Sequence, residues 1–261
     1  MIEFRKYHGT GNDFILIDNR LNVFTGDRKK FAQKWCHRRF GIGSDGVVFL
    51  QDSDQHDFDM DFYNPDGSQS FCGNGSRCIM KFAKDIGLIE CADGAEASFT
   101  AIDGVHCAKF TDRGVSIKMK DTGKVENIDG DFFLDTGSPH YISYEKNSAL
   151  RDIFQFGQEI RYSQKYKNEG TNVNLVEKID DRTIRIRTYE RGVENETWSC
   201  GTGATACGLC HAQVNNLPNG TVNVHVKGGI LLVHFNRVAV GFNEVWLEGP
   251  AEYVFSGEIN G

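Results

Sequence analysis

Apolar and polar residues alternate with a period of two along much of the chain, and the alternation returns in the same order in each half. That period predicts strands over Ile2–Tyr7 and Phe14–Ile17, joined by a polar turn at His8-Gly-Thr-Gly-Asn-Asp13. A basic helix is expected over 27–39, then a polar turn at Gly41–Gly46, a strand over Val47–Leu50, and an alternating strand over Asp57–Tyr63. Between Ser76 and Ile86 the period changes: Ile79, Phe82, Ala83 and Ile86 fall at helical spacing, and Gly87 stops the run. Strands over 95–120 close the first half, with turns at Asp103-Gly104 and Arg113-Gly114. From about residue 121 the parts repeat. Phe132–Thr136, the turn Gly137-Ser138-Pro139-His140 and Tyr141–Tyr144 echo the opening hairpin, and a helical stretch over 147–161 echoes the early helix. Gly170–Val176 and Thr183–Tyr189 echo the next two strands, followed by a helix over Ala204–Val214 and strands over Thr221–Trp246 broken at Gly228-Gly229. Each half runs into a Cys-Gly-x-Gly step, at Cys72 and Cys200, just ahead of its small-residue helix.

The repeat predicts an α+β fold of two pseudo-symmetric β-rich lobes, each wrapping a central helix. Residues 1–120 would form the first lobe with Cys72, and 121–249 the second with Cys200. Residues 250–261 have strand character and would return to complete the first lobe.

Composition narrows the class. Apolar residues make up 39% and charged residues 25%, as in globular proteins. The net charge of −7 argues against a general nucleic-acid binder, and no run approaches the ~18 apolar residues of a membrane span. The opening residues lack an apolar signal core, and eight cysteines without one suggest free thiols in a reducing, cytoplasmic setting. The aspartates at 52, 54, 57, 59 and 61 lack the glycine and closing glutamate of a calcium loop and read as a solvated strand face. The basic run Lys29, Lys30, Lys34, His37, Arg38 and Arg39 reads as a solvated helix face without function.

A cysteine at a helix N-terminus has a chemical meaning. The first amides of a helix are unpaired and carry the positive end of its dipole, which favours thiolate over thiol. The glycines let those amides approach a small anion. Two such turns facing across a cleft between the lobes would put one sulfur on each side of a stereocentre, so that one removes a proton and the other returns one. Alternatives remain on the residues alone. The pair could be a redox couple or sensor, and Cys207, Cys210 and His211 could be part of a zinc site. The turn at 8–13 could be only a hairpin loop, and His140 only a structural histidine. Cys36, Cys78, Cys91, Cys107, Cys207 and Cys210 otherwise read as small buried hydrophobes.

Taken together, His8–Phe14, Asn64-Pro-Asp-Gly-Ser68, Cys72-Gly-Asn-Gly-Ser-Arg-Cys78, Tyr189-Glu-Arg-Gly192 and Cys200-Gly-Thr-Gly-Ala204 resemble the diaminopimelate epimerase family over essentially the full length. The resemblance implies a cofactor-independent isomerase that interconverts LL- and meso-2,6-diaminopimelate in lysine and peptidoglycan precursor biosynthesis, without pyridoxal phosphate or metal. Its partner is then a small molecule, neither nucleic acid nor membrane, and a homodimer is allowed. It implies Cys72 and Cys200 as the catalytic pair, tuned by His140 and Glu190. Gly73, Asn74, Gly201 and Thr202 would cradle the substrate carboxylate, with Asn12, Asn64, Asn172, Glu190 and Arg191 also binding substrate. Arg191 could grip the distal carboxylate by two parallel bonds. Three departures bear on fine substrate contacts: Ser138 where the family often has asparagine, Gly46 where some members carry glutamine, and a short link Gln69-Ser-Phe71. The nearest rival is a proline or hydroxyproline racemase, which the polar Asn64, Asn172 and Arg191 disfavour.

Overall fold

The structure is a computed structural model that describes residues 1–90 and 94–260. It divides into two compact units, Met1–Ile117 with Gly249–Gly261, and Lys118–Glu248.

The first unit contains β1 (Ile2–Gly9), β2 (Asn12–Asp18), α1 (Arg28–Trp35), β3 (Gly46–Gln51), β4 (Phe58–Tyr63), α2 (Gly73–Asp85), β5 (Glu96–Ala101), β6 (Gly104–Thr111) and β7 (Gly114–Lys118). The second contains β8 (Glu126–Ile128), β9 (Asp131–Asp135), β10 (Pro139–Tyr144), α3 (Ile153–Arg161), β11 (Asn172–Asp180), β12 (Thr183–Glu190), β13 (Asn195–Glu196), α4 (Gly201–Val214), β14 (Gly220–Val226), β15 (Gly229–Arg237) and β16 (Phe242–Gly249). The chain then returns to the first unit as β17 (Glu252–Ile259), antiparallel to β1.

The two sheets follow one plan. In the first unit the order is β17-β1-β2-β3-β4-β5-β6-β7, with β2/β3 and β4/β5 parallel and the other neighbours antiparallel. In the second it is β8-β9-β10-β11-β12-β14-β15-β16, with β10/β11 and β12/β14 parallel. A helix spans each parallel crossover, as parallel pairing requires. Across β2–β4 and β10–β12 the register carries over at a shift of 126 positions. Phe14 pairs with Gly46 as His140 pairs with Asn172, and Val48 with Phe62 as Asn174 with Thr188.

Each sheet buries one helix. Residues Gly201 and Gly203–Ala212 of α4 are buried, and a helix built mostly of Gly, Ala, Thr and Cys has no charged face to present to water. It packs on inward residues such as Ile142, Val176, Ile184, Ile186, Val222 and Val233. Helix α2 does the same against Phe14, Val48, Met60, Phe62 and Phe99. The second helix of each unit covers the other sheet face. Phe31 and Ala32 of α1 pack on Ile15, Ile17 and Phe49, and Ile153 and Phe156 of α3 pack on Val173, Leu175 and Tyr189.

Several boundaries differ from the pattern-based expectation. The turn expected at 8–13 shrinks to Thr10 and Gly11, both left-handed, so Asn12 and Asp13 lie in β2. The basic helix ends at Trp35, because Gly41 and Gly43 return the chain under it. Both cysteine-bearing helices begin one residue after the cysteine, earlier than the apolar spacing indicated, since small and polar first-turn residues carry no hydrophobic signal.

Candidate functional site

Cys72 is the residue that caps α2. Its backbone is extended (φ −132°, ψ 105°), and its Sγ accepts from the Gly75 amide at 3.4 Å. A sulfur in that place does what a capping serine oxygen does, and takes one of the helix's unpaired amides. Cys200 caps α4 with nearly the same backbone, φ −117° and ψ 110°. Its Sγ lies 3.6 Å from the Thr202 hydroxyl, and the residue is only 7% exposed. Thus each unit sets one thiol against the first turn of its buried helix.

The second glycine of the Cys-Gly-x-Gly step is closely packed in both units, and far more tightly at Gly203 than at Gly75. A Cβ on Gly203 would stand 2.9 Å from Asn174 Oδ1, 3.2 Å from the His140 ring and 3.3 Å from Cys200 Sγ. On Gly75 it would meet Met60 Cε at 3.3 Å and Cys72 Sγ at 3.6 Å. A Cβ on Gly73 would meet nothing within 4 Å, so the first glycine leaves the approach to the leading amides of α2 open.

Around Cys72 the first unit assembles a line of amides. Asn74 Nδ2 donates to Asn12 Oδ1 at 3.0 Å, and Asn12 Nδ2 donates to Asp45 Oδ2 at 2.7 Å. Behind them Arg77, fully buried, donates from Nη2 to Asn74 Oδ1 at 2.7 Å. Burial lowers the Arg77 pKa to about 10, which leaves it a cation at neutral pH. Asp45 and Asp13 both bind Arg38, at 2.6 and 2.7 Å, and Asp13 also pairs with Lys6 at 2.6 Å. Arg38, read as part of a solvated face, therefore anchors the network that orients Asn12. Asn64 sits apart from this line and holds the turn after β4 together, donating to Ser68 Oγ and Ser70 Oγ at 3.1 Å each.

In the second unit His140 is fully buried on β10, with Nε2 3.0 Å from Thr202 Oγ1 and Nδ1 3.2 Å from Asn174 Nδ2. Burial, with the Arg191 charge added, holds its pKa down to about 3, so the ring is neutral. Asn172 ties two strands to the site, accepting from the Arg191 amide at 2.9 Å and donating to the Pro139 carbonyl at 3.2 Å. Glu190 Oε2 accepts from Thr197 Oγ1 at 2.9 Å. The Arg191 guanidinium donates to the Glu169 carbonyl at 2.7 Å and has no carboxylate within 4.0 Å among the described residues. Glu194 instead takes Arg161, Tyr162 and Tyr189.

Pattern reading missed Asp45, Arg77, Asn174 and Thr188. Arg77 lay in a helix whose apolar period gave no sign of a buried charge. Asn174 and Thr188 interrupt the inward alternation of β11 and β12, which was the available signal.

The remaining cysteines divide. Cys36, Cys78, Cys207 and Cys210 are buried, and burial pushes the thiols of Cys36 and Cys210 up to about 12. Cys107 is exposed, contrary to expectation, because it faces outward on the alternating strand β6. Cys91 lies outside the described residues. No group of three His, Cys, Asp or Glu among the described residues is placed to hold a metal ion. His211 bonds instead to Tyr144, Asn215 and the Asp181 carbonyl. At Gly46 a side chain would collide with the Phe62 ring at 2.3 Å, so this position cannot carry glutamine without moving Phe62. No helix among the described residues is long and apolar enough to cross a membrane.

The fold is shared with several solved racemase, epimerase and isomerase structures. A phenazine biosynthesis protein of the PhzF family from Bacillus anthracis matches with a TM-score of 0.80 at 14% identity, covering 99% of both chains. A hydroxyproline epimerase from Agrobacterium vitis matches at 0.69 and 15% identity, covering 99% of this chain and 90% of that one. Sequence is more specific than fold. Residues 4–125 and 132–254 match the diaminopimelate epimerase family model. Diaminopimelate epimerase of Flavobacterium psychrophilum is 44% identical over 97% of this chain and 98% of its own, and that of Chlorobaculum tepidum is 38% identical over 96% and 98%. The chain belongs to the diaminopimelate epimerase family.

Proposed function

We propose that this protein interconverts LL- and meso-2,6-diaminopimelate without a cofactor, in the cytoplasm, as a step toward lysine and peptidoglycan precursors. The observation that carries this reading is the duplicated half-site: two units of one strand plan, each capping a buried helix with a cysteine followed by Gly-x-Gly.

In this reading one cysteine, as thiolate, takes the α-proton from one face and becomes a thiol. The other, as thiol, returns a proton to the opposite face and becomes the thiolate. The electron pair left by the first transfer spreads into the α-carboxylate. Amides of Gly73, Asn74, Gly201 and Thr202, at the positive ends of two helices, stabilise that growing charge. Fixed donors suit this task because they need no reorganisation as the charge develops. Arg191, with its guanidinium uncommitted to a carboxylate, takes the distal carboxylate, while Asn12, Asn64, Asn172 and Glu190 meet the remaining polar groups. His140 and Glu190 tune the cysteines. A neutral His140 acts on Cys200 as a hydrogen-bonding group through Thr202.

The test is to incubate the purified, reduced protein in D₂O with LL-diaminopimelate and, separately, with L-proline, following α-deuterium by NMR. Exchange and epimerisation with diaminopimelate alone support the reading. Turnover of proline in preference would replace it.

A further inference from the structure

We infer that Asn174, supported by Thr188, is a positioning residue that sets the direction of a hydrogen-bond relay ending on the Cys200 sulfur. The inference rests on the proposed role of Cys200.

The direction follows from one carbonyl. Asn174 Nδ2 lies 2.9 Å from the backbone oxygen of Tyr141, which can only accept. The Thr188 hydroxyl lies 2.9 Å from the other end of the amide, Asn174 Oδ1. The amide is therefore held with its NH₂ toward Tyr141, and the second hydrogen of that NH₂ points at His140 Nδ1. Nδ1 must then accept, which places the single proton of the neutral ring on Nε2. Nε2–H donates to Thr202 Oγ1, and the Thr202 proton is left to point at Cys200 Sγ. A sulfur receiving that proton is favoured as thiolate.

The first unit lacks the device. By the 126-position shift of these three strands, His140, Asn174 and Thr188 correspond to Phe14, Val48 and Phe62, all buried and apolar. Three inward apolar positions have become polar only beneath the second cysteine. A packed core has no use for three hydrogen-bonding side chains unless each is satisfied, and here each is satisfied in one order. The relay makes the two cysteines chemically unequal within an otherwise repeated frame.

The experiment measures the tautomer and the thiolate directly. ¹⁵N spectra of histidine-labelled protein, assigned with His140→Gln, report which ring nitrogen carries the proton. Rates of iodoacetamide labelling, read peptide by peptide at pH 7, report the thiolate fraction of Cys200. The wild-type ring should be Nε2–H. Asn174→Val, which copies the first unit, should mix the tautomers and slow Cys200 labelling about tenfold, close to one pKa unit. Thr202→Val should slow it equally, Thr202→Ser should restore it, and Asn174→Val added to Thr202→Val should slow it no further. An Nδ1–H ring in the wild type would overturn the relay, as would unchanged Cys200 labelling in Thr202→Val. These two readouts suffice even if Asn174→Val does not fold. Neither needs substrate, so a failure to turn over diaminopimelate would count against the proposed reaction and leave the relay standing.

Discussion

Alanine at the second glycine of each cysteine turn should be tolerated in the first unit and destabilising in the second, although the turns are repeats. In a helix alanine is favoured over glycine by roughly 0.5–1 kcal/mol. At Gly75 the new methyl meets Met60 Cε at 3.3 Å, the free end of a flexible side chain that can swing aside. Gly75→Ala should therefore change stability by less than about 1 kcal/mol. At Gly203 the methyl meets Asn174 Oδ1 at 2.9 Å and the His140 ring at 3.2 Å. Neither can yield, since Asn174 is held by Thr188 and the Tyr141 carbonyl, and His140 by Asn174 and Thr202. Overpacking a rigid site is worth about 1–3 kcal/mol, so Gly203→Ala should lose about 1–2 kcal/mol net of the helix gain. Urea unfolding followed by tryptophan fluorescence resolves the two effects, because Trp35 lies in the first unit and Trp198 and Trp246 in the second. A methyl 3.3 Å from Cys200 Sγ should also displace the sulfur and lower epimerisation about 100-fold. A midpoint that falls further for Gly75→Ala than for Gly203→Ala would refute the reasoning.

Cys72→Ala and Cys200→Ala should each abolish epimerisation while leaving the circular dichroism spectrum intact; near-normal turnover by either would end the two-base reading. Arg191→Lys should raise KM for diaminopimelate without lowering stability, since lysine keeps the charge and loses the fork; an unchanged KM would remove Arg191 from the binding set. His140 predicts acid sensitivity. Its pKa is near 3 when folded and 6.5 when unfolded, so below pH 6.5 the unfolded chain binds the extra proton and stability falls with pH. At pH 5 that loss is about 2 kcal/mol, and His140→Gln should flatten the decline between pH 7 and 5 by that amount. Equal slopes in the two proteins would contradict the buried, neutral ring.

The repeat was legible because alternation survives duplication: Phe58 and Met60 of one strand match Ile184 and Ile186 of the other, and both strands run toward the same kind of cysteine turn. Both cysteines were legible for the same reason, as each stood before Gly-x-Gly. The polar framework behind them was not. Arg38 looked like one basic residue among several, and only the fold brings it to Asp13 and Asp45. The Asn174–His140 contact joins residues 34 apart across parallel strands, a distance over which side-chain pattern carries no information. The glycine turns put each cysteine at its helix N-terminus, but apolar spacing alone began the helices at Ala204 and Ser76, because capping is a backbone event. Cys200 caps through its extended φ and ψ, which residue spacing does not reveal.

The placement of β17 has a consequence for how the protein is made. Strand β8 lies beside β9 in sequence, so the second unit can form its sheet from one continuous stretch. The matching slot in the first unit is filled by β17, whose Ile259 pairs with Ile2. On the ribosome, β1 emerges well before its partner β17. The first unit must wait, one edge of β1 unpaired, while the second is completed. Closing a loop that spans nearly the whole sequence is slow compared with closing local ones. The earlier-made half of this protein is thus the later to finish, and during that interval β1 is the exposed edge most open to mispairing with another chain.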